Sequence, residues 1–532
     1  MNSIFIIAVS SILFFLGYKF YCKKLELLWQ INPKNTTPAH SRSDGIDFVP
    51  ARHWLVLFGH HFASIAGAGP IIGPVIACVL WGWLPALIWI VFGTIFIGGV
   101  HDFGALITSV RQEGRSIADI AGDTISRRAK IIFSCFVWLA LVLVIAVFTY
   151  LCADTFVKEP KIVLPSLGLI PVAMLIGFMP YHLKTNVIAT TILGLVLLTG
   201  LIFLGNIFPI SLLENSLLIW SLVLLFYCYI ASILPVNILL QPRDYLSSFL
   251  LFAGVAFGYL GIFILRPKIT ASAYIGWKTH EGFLWPMLCV TIACGAISGF
   301  HSLIASGTTS KQISNEADAK RIGFGGMIAE GLVAILAILA ITSGASSKNL
   351  IVILKDIGPV RLFAQGYNEV ANPILGGFGG FIAITILNAF ILTTLDTATR
   401  IGRYLTEELL GIKNRYFSTF LVVLAGGGLA LSGKWNKIWP AFGASNQLVA
   451  ALALIVVSAW LFCKNKTLRF TLIPAIFMIV TTIAALVFQS INYFKGRDYF
   501  LFAVSLVLTG LALFMLMEAY RAFKKRFLCP KV

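Results

Sequence analysis

The chain has 532 residues, of which 58% are hydrophobic and 12% are charged, and its formal net charge is +18. Soluble domains carry roughly 25% charged residues, so this composition leaves too little polar surface to coat a water-soluble globule. Lys and Arg lie in loops between apolar runs, without the interleaved aromatic residues that nucleic-acid binding requires. The composition therefore predicts an all-α polytopic membrane bundle with lipid, rather than nucleic acid, around it.

We predict about fifteen membrane spans, because apolar runs of about 20 residues recur along the whole chain and alternating strand patterns are nearly absent. The spans are 1–18, 53–80, 84–110, 131–153, 165–181, 185–205, 215–235, 244–265, 284–305, 323–345, 374–397, 417–432, 439–462, 470–489 and 498–520. Most of the 40 Lys and Arg fall in cytoplasmic loops if the N-terminus lies outside. The first span lacks a basic start and is followed by Lys19, Lys23 and Lys24, which predicts an uncleaved anchor with its N-terminus outside. The distribution of Lys and Arg favours an odd number of spans and therefore a cytoplasmic C-terminus.

The second span contains residues that interrupt helices. Gly67, Gly69 and Pro70 fall in the middle of HHFASIAGAGPIIGP, residues 60–74. Pro removes a backbone donor and Gly tolerates unwound dihedral angles, so the helix is expected to break around Ala68. In hydrocarbon such a break persists where it faces protein or a wet cavity. Close helix packing by small residues is the alternative interpretation.

The third span carries His101 and Asp102 about two turns from its cytoplasmic end, and Glu330 lies at similar depth in a later span. A charged carboxylate inside a membrane is energetically costly, so it is expected either to have a partner or to serve a function. One interpretation is that these residues carry protons, because partial burial raises the pKa of a carboxyl group toward neutral pH. The other interpretation is a satisfied carboxylate that caps a neighbouring helix.

A second interrupted span occurs at GAISGFHSLIASGTTSKQ, residues 295–312, which combines glycines with Ser and Thr hydroxyls. Under the predicted orientation it runs in the direction opposite to the first interrupted span. Two broken helices of opposite direction are typical of a transporter binding site near the bilayer midplane. Their free N–H groups suit carboxylates, and their free carbonyls suit cations or donor groups.

Three further motifs place polar side chains in apolar surroundings. QPRDYL contains Arg243 and Asp244, which either cap the next helix or gate the pathway. Asp396 and Arg400 are four residues apart on one helix face, so we expect them to form an ion pair, either structural or in contact with substrate. The motif WPAFGASNQLVAAL places two amides inside an apolar helix, where they should bond to other helices or to substrate.

The histidines also allow a different function, that of a membrane-embedded metalloenzyme. Its metal site would be built from His60, His101, Asp102 and His301. Against it, His60 and His61 point about 100° apart on a helix, and hydrogen bonds to freed carbonyls explain such histidines more simply. We predict no bound metal, no cofactor and no catalytic residues. A channel is the other alternative, although neither a potassium-channel filter nor an Arg ladder is present, and a P-loop is absent as well.

These motifs, in this order across residues 52–452, resemble the carbon starvation protein A (CstA) family. The matching runs are HWLVLFGHHFASIAGAGPIIGPVIA, GWLPALIWIVFGTIFIGGVHDFGAL, QPRDYL, HSLIASGTTSKQI, GFGGMIAEG, LDTATRIGRYL and WPAFGASNQLVAAL. The resemblance implies a bacterial inner-membrane transporter with LeuT-type inverted repeats, active under nutrient limitation, which moves peptides or couples pyruvate to protons. It divides the chain into an anchor helix and basic loop (1–52), a transporter core (53–462), and two C-terminal helices with a basic tail (463–532).

The expected activity is import of a small organic nutrient such as pyruvate or short peptides by proton-coupled alternating access, and the alternatives are a membrane-embedded metal-dependent enzyme and a channel. The predicted substrate-binding residues are His61, Gly67, Ala68, Gly69, Ser298, Gly299, His301, Ser302, Asn446 and Gln447. The predicted proton-coupling residues are His101, Asp102 and Glu330. The predicted gating or ion-pair residues are Arg243, Asp244, Asp396 and Arg400.

Overall fold

The computed structural model describes residues 2–182, 185–212, 214–279, 281–344, 350–433 and 435–528. Within these ranges the chain is almost entirely helical, and a short hairpin pairs β1 (Lys278–Thr279) with β2 (Gly282–Phe283) in antiparallel register. The first eleven helices are α1 (Ser3–Leu16), α2 (Lys23–Trp29), α3 (Pro38–Ser41), α4 (Trp54–Ile65), α5 (Gly69–Trp81), α6 (Trp83–Gly93), α7 (Gly99–Val110), α8 (Ile117–Thr124), α9 (Arg127–Lys158), α10 (Val163–His182) and α11 (Val187–Ile207).

The second half of the chain continues the bundle. Its helices are α12 (Ser216–Ile233), α13 (Leu240–Leu265), α14 (Leu284–Thr291), α15 (Gly299–Gly307), α16 (Gly325–Leu339), α17 (Leu350–Leu375), α18 (Gly379–Leu410), α19 (Arg415–Ala430), α20 (Trp435–Cys463), α21 (Arg469–Lys495) and α22 (Tyr499–Leu528). Short 3-10 and π-helical stretches join several of them, so that α6 runs through Thr94–Gly98 into α7 as one long span.

The described residues contain twelve helices long and apolar enough to cross a membrane, or thirteen if the bent pair α4–α5 is one span. A polytopic helical bundle is therefore confirmed. The count of fifteen stays a prediction: the interrupted pair α14–α15 and the 16-residue α19 fall outside these twelve. The inverted-repeat relationship between the two halves also stays a prediction.

The helices at the centre of the bundle are buried, whereas the outer helices expose apolar side chains. At the centre, α9 packs against both α18 and α20. Helix α18 also packs against α4 and α15, and α20 also packs against α7 and α15. The outer helices expose large apolar side chains such as Phe203 on α11 and Tyr520 on α22. In water these surfaces would be unfavourable, whereas in lipid they face a solvent as apolar as themselves. The central helices are thus the ones that position polar side chains away from lipid.

Gly299 allows α15 to approach α20 closely. A Cβ atom at this position would lie 2.2 Å from the Asn446 carbonyl oxygen and 2.3 Å from the Ala450 nitrogen, both of which are backbone atoms. We expect Gly299→Ala to destabilise the fold by about 1–3 kcal/mol or more, because neither backbone can yield. Thermal melting in detergent checks this. Gly510→Ala is the matched control, since no atom lies within 4 Å of its added Cβ; equal melting temperatures for the two variants would refute the packing argument.

Candidate functional site

The first predicted helix break is present. Helix α4 ends at Ile65, α5 begins at Gly69, and the two axes differ by 43°. The break frees backbone carbonyls that α18 satisfies: Thr393 Oγ1 donates to the Ala63 carbonyl at 2.7 Å, and Thr394 Oγ1 donates to the Ser64 carbonyl at 3.0 Å. Hydroxyl groups from a neighbouring helix therefore replace the lost helical hydrogen bonds, as hydrocarbon surroundings require.

The second break is also present, although it lies earlier than the glycine and serine pattern suggested. Helix α14 ends at Thr291, residues 292–298 are irregular, and α15 is continuous from Gly299 to Gly307. Asn446 of α20 caps the new helix: its Oδ1 accepts from the Phe300 N–H at 2.8 Å, and its Nδ2 donates to Ser298 Oγ at 2.9 Å. This amide thus bonds across helices, one of the two outcomes expected for it.

A small cavity lies where the two breaks meet, and its volume of about 10 Å³ is enough for about one water. Gly67, Gly69 and Pro70 from the first break line it together with Cys294 and Ser298 from the second. The remaining lining residues are Ile65, Val144, Phe148, Phe300, Thr394 and Phe442. The two interrupted helices therefore share one enclosed space.

A much larger vestibule of about 640 Å³ extends from this cavity toward one end of the bundle. The two spaces share Gly69, Cys294 and Phe442 as lining residues. Exposed Lys355 and Asp356, at the start of α17, also line the vestibule. The vestibule touches α5 after its break and α14 before its break, so the two interrupted helices run in opposite directions, as predicted.

Aromatic side chains separate the two spaces. Phe442 of α20 lines both, and its ring packs edge-on against Phe148 of α9 at a centroid distance of 5.8 Å. Trp439 packs against the vestibule side of Phe442 at 5.4 Å. Movement of Phe442 would join the cavity to the vestibule. Phe442 belongs to the WPAFGASNQLVAAL motif, whereas no sequence signal marks Phe148 as a lining residue.

The predicted substrate-binding residues divide into two groups. Gly67, Gly69 and Ser298 line the cavity, Ala68 is buried beside them, and Asn446 bonds to Ser298 and Cys294. The other five lie outside the cavity lining. Gly299 packs on α20, Ser302 Oγ donates to the Gly299 carbonyl, and Gln447 Nε2 lies 3.8 Å from Met478 Sδ. His61 and His301 face acidic side chains. A substrate contact for any of the ten stays a prediction.

The predicted proton-coupling residues lie in one buried cluster that also contains two of the histidines. His61 Nε2 is 2.9 Å from Asp102 Oδ2, and His61 Nδ1 is 2.8 Å from Thr309 Oγ1. His301 Nδ1 is 3.3 Å from Glu330 Oε2. The rings of His101 and His301 are 6.4 Å apart, and His101 Nε2 donates to the carbonyl of Ile297 in the second break, at 3.2 Å.

This cluster contains polar atoms with unused hydrogen-bonding capacity. Among the described residues, Asp102 Oδ1, His101 Nδ1 and both carboxyl oxygens of Glu330 are buried without a hydrogen-bond partner. Buried polar atoms are normally paired, so each exception calls for an explanation. The cluster is supplied by four helices, α4, α7, α15 and α16, and a proton-coupling role for it stays a prediction.

The gating or ion-pair residues have different partners from those expected. Asp396 forms an ion pair with Arg243 of α13 and accepts from the Tyr227 hydroxyl at 2.7 Å. Arg243 also binds Asp244 at 2.6 Å, and Asp244 in turn lies 2.6 Å from His60 Nδ1. The pairing of Asp396 with Arg400 was therefore wrong, because α13 brings a guanidinium group to the Asp396 side of α18. Arg243 and Asp244 are also not helix caps, since they are buried one turn inside α13.

Arg400 binds a loop instead of Asp396. Its Nη1 lies 2.8 Å from Asp47 Oδ1, and Arg403 and the Tyr404 hydroxyl contact the same carboxylate. Burial raises the pKa of Asp47, but Arg403 and Arg400 outweigh burial and hold that pKa well below its usual range. Asp47 therefore ties the loop before α4 to α18 at the end of the bundle opposite the vestibule.

The metal alternative finds no support in this geometry. Across the described ranges, no group of three or more His, Cys, Asp and Glu side chains is arranged to hold a metal ion. His60 and His61 are directed to different carboxylates, Asp244 and Asp102, as their angular separation on a helix predicts. The two histidines belong to two separate polar clusters.

Cys294 offers a direct probe of the path from the vestibule to the cavity. It is half-buried and lines both spaces, whereas Cys78, Cys152 and Cys289 are buried. We expect a membrane-impermeant thiol reagent added from the vestibule side to modify Cys294, and Cys294→Ser to remove that modification. Peptide mass mapping measures it. Unmodified Cys294 in the wild type would contradict access to this residue from the vestibule.

Solved structures and curated proteins identify the class of this chain. The crystal structure of the Eremococcus coleocola manganese transporter, bound to an aromatic bis-isothiourea substituted compound, has the same fold with a TM-score of 0.54. That match covers 90% of this chain and 99% of that one, at 14% identity. The Escherichia coli (strain K12) relatives are the pyruvate/proton symporter BtsT, 29% identical, and the peptide transporter CstA, 31% identical. Each of these alignments covers 91% of this chain and 81% of the relative.

The class is therefore a multi-pass membrane transporter. The model of the carbon starvation protein CstA family matches residues 2–352 and 345–485. A Mycobacterium tuberculosis (strain ATCC 25618 / H37Rv) peptide transporter CstA is also similar, at 31% identity over 90% of this chain and 73% of the relative. This chain belongs to the carbon starvation protein CstA family, as its motifs indicated.

Proposed function

We propose that this chain is a proton-coupled secondary transporter that imports a small organic nutrient, pyruvate or a short peptide, across a bacterial inner membrane. The observation that carries the proposal is the cavity shared by the two helix breaks and reached from the vestibule. Transport, rather than catalysis, agrees with the names of the relatives. Oligomeric state has no bearing on this proposal.

The chemistry of the cavity favours a carboxylate. Helices α5 and α15 both begin beside it, at Gly69 and Gly299, and helix N-termini stabilise negative charge. Ser298 and Thr394 add hydroxyl groups. Pyruvate and the C-terminus of a peptide share this carboxylate. Since the closed cavity admits about one water, binding requires that Phe442 move toward the vestibule.

Proton coupling is assigned to the cluster of His101, Asp102 and Glu330. Two carboxyl groups without a Lys or Arg partner are costly to keep charged inside a bilayer, so a bound proton stabilises them. His61 links Asp102 to Thr309, just beyond the end of α15. The position of α15 therefore depends on the protonation of Asp102, and α15 also borders the substrate cavity.

Charge distribution orients the proposed transporter. The end of the bundle opposite the vestibule carries Arg42, Arg52, Arg403 and Arg415, together with the basic segment 111–130. Positive loops remain on the cytoplasmic side of a membrane. The vestibule then faces outward, with the N-terminus outside and the C-terminus in the cytoplasm.

The experiment is uptake of labelled pyruvate and labelled dialanine into proteoliposomes, with and without an inward proton gradient. We expect one of the two substrates to accumulate with the gradient, to saturate with concentration, and to fall to equilibration when a protonophore is added. Uptake that does not depend on the gradient would contradict proton coupling. Conductance that does not saturate with substrate concentration would indicate a channel instead of a transporter.

A further inference from the structure

A second group of buried titratable residues lies beside the proton-coupling cluster, and it centres on His60. His60 and Asp244 have fully buried side chains, and their atoms Nδ1 and Oδ2 are 2.6 Å apart. Arg243, whose side chain is 2% exposed, is the cation that Asp244 shares with Asp396. None of these residues lines the substrate cavity.

The charges of this group do not balance when His60 is neutral. Asp244 and Asp396 carry two negative charges, and Arg243 carries one positive charge. The other polar side chains that the described residues place against the group are neutral: Tyr227 and Cys228 of α12, Gln241 of α13, Ser64 of α4, Thr397 of α18 and Gln312 beyond α15. His61, next along α4, is turned toward Asp102, and Lys311 lies 3.6 Å over the ring of Tyr404. A proton on His60 would bring the group to neutrality, and uncompensated buried charge is expensive in a membrane.

The hydrogen-bond partners of His60 bear on whether its imidazole is neutral or protonated. The amide nitrogen of Gln312 lies 3.3 Å from His60 Nε2, and an amide nitrogen can only donate. His60 Nε2 therefore accepts, and His60 Nδ1–H donates to Asp244. These two partners fit the neutral imidazole, in which Nε2 can take a proton if the Gln312 amide turns away.

Gln312 connects that event to the second interrupted helix. The same amide nitrogen donates to the Thr308 carbonyl at 3.2 Å, and the Gln312 carbonyl oxygen accepts from Gln241 at 2.7 Å. Protonation at Nε2 would replace an acceptor with a donor and force the amide to rotate. Rotation breaks the bond to Thr308, which lies directly after the last residue of α15.

We infer that His60, paired with Asp244, is a second proton-binding site of the transporter and that Gln312 couples its protonation to the end of α15. The proton comes from water on the outward side of the membrane, from which an inward-driven symporter takes its protons. It adds to the Nε2 lone pair to form an imidazolium, while Asp244 remains a carboxylate. This inference rests on the proposed proton-coupled transport and adds a site that is separate from Asp102 and Glu330.

The test measures the number of protons moved per substrate, from the substrate gradient that just balances an imposed proton gradient in proteoliposomes. The probe is whichever of labelled pyruvate and labelled dialanine the wild type accumulates. We expect His60→Gln to fold and to lower this number by about one. The matched control is His40→Gln, because His40 is an exposed histidine outside the group. An unchanged number in folded His60→Gln, or an equal fall in His40→Gln, would overturn the inference.

A second variant keeps the test decisive if His60→Gln does not fold. Gln312→Ala removes the donor that favours neutral His60, so the pH of half-maximal uptake should move to more alkaline values by about one unit, with the proton number unchanged. An unchanged pH profile would overturn the link to α15. Failure of the proposed function would look different, since the wild type itself would then show no gradient-driven accumulation.

Discussion

Arg243→Met is expected to lower the free energy of unfolding by about 3–5 kcal/mol, because it leaves buried carboxylates without their cation. Asp244 and Asp396 are both fully buried, and Arg243 is the guanidinium group that binds them. Methionine retains much of the side-chain volume, so the loss reports charge rather than a cavity. Chemical or thermal unfolding in detergent measures it.

Arg128→Met is the matched control for Arg243→Met, because Arg128 is exposed at the start of α9. We expect its effect to stay within about 0.5 kcal/mol. A double variant, Arg243→Met with Asp396→Asn, should regain part of the loss by removing one unpaired charge. Similar stability of Arg243→Met and Arg128→Met would show that the buried network does not hold α12, α13 and α18 together.

Asp102→Asn and Glu330→Gln are each expected to lower proton-driven accumulation by the share that one proton supplies. An inward gradient of about one pH unit supplies about 1.4 kcal/mol per proton, which corresponds to about tenfold accumulation. The neutral amides keep the size and polarity of the carboxyl groups but cannot exchange a proton. The accumulation ratio of the labelled substrate should therefore fall by about tenfold at this gradient, while exchange across the membrane at equal pH continues.

Glu113→Gln is the control for these two substitutions, since the Glu113 carboxylate is exposed in the loop after α7. It should leave the accumulation ratio unchanged. Full accumulation in both Asp102→Asn and Glu330→Gln would remove these residues from the coupling mechanism. It would leave the class and the family of the chain intact, because those conclusions rest on the fold and on the relatives.

The features that the sequence predicted correctly are those that local chemistry determines. Gly67, Gly69 and Pro70 favour an interrupted helix, and the structure places the first break there, with Gly69 and Pro70 in the first turn of α5. Carboxylates inside apolar spans, Asp102 and Glu330, were expected to lie away from lipid, and both are fully buried. Composition and span length were sufficient to predict a polytopic helical bundle.

The features that the sequence missed depend on helix neighbours that are distant in the chain. Spacing along α18 suggested that Asp396 pairs with Arg400, but packing brings Arg243 to Asp396 and Asp47 to Arg400. The second break was placed too late because Gly295 and the Ser and Thr residues that follow it occur in a pattern that also suits a regular helix. Phe148 carried no polar or helix-breaking signal, although it lines the cavity.

The central claim is that substrate binds between the two interrupted helices, and protection of Cys294 tests it most directly. The rate at which an impermeant thiol reagent modifies Cys294 would be measured with and without the transported substrate at saturating concentration. Because Cys294 lines the cavity beside Gly69 and Ser298, bound substrate should slow the reaction several-fold. A rate that does not change at concentrations that saturate uptake would place the substrate elsewhere and contradict the account.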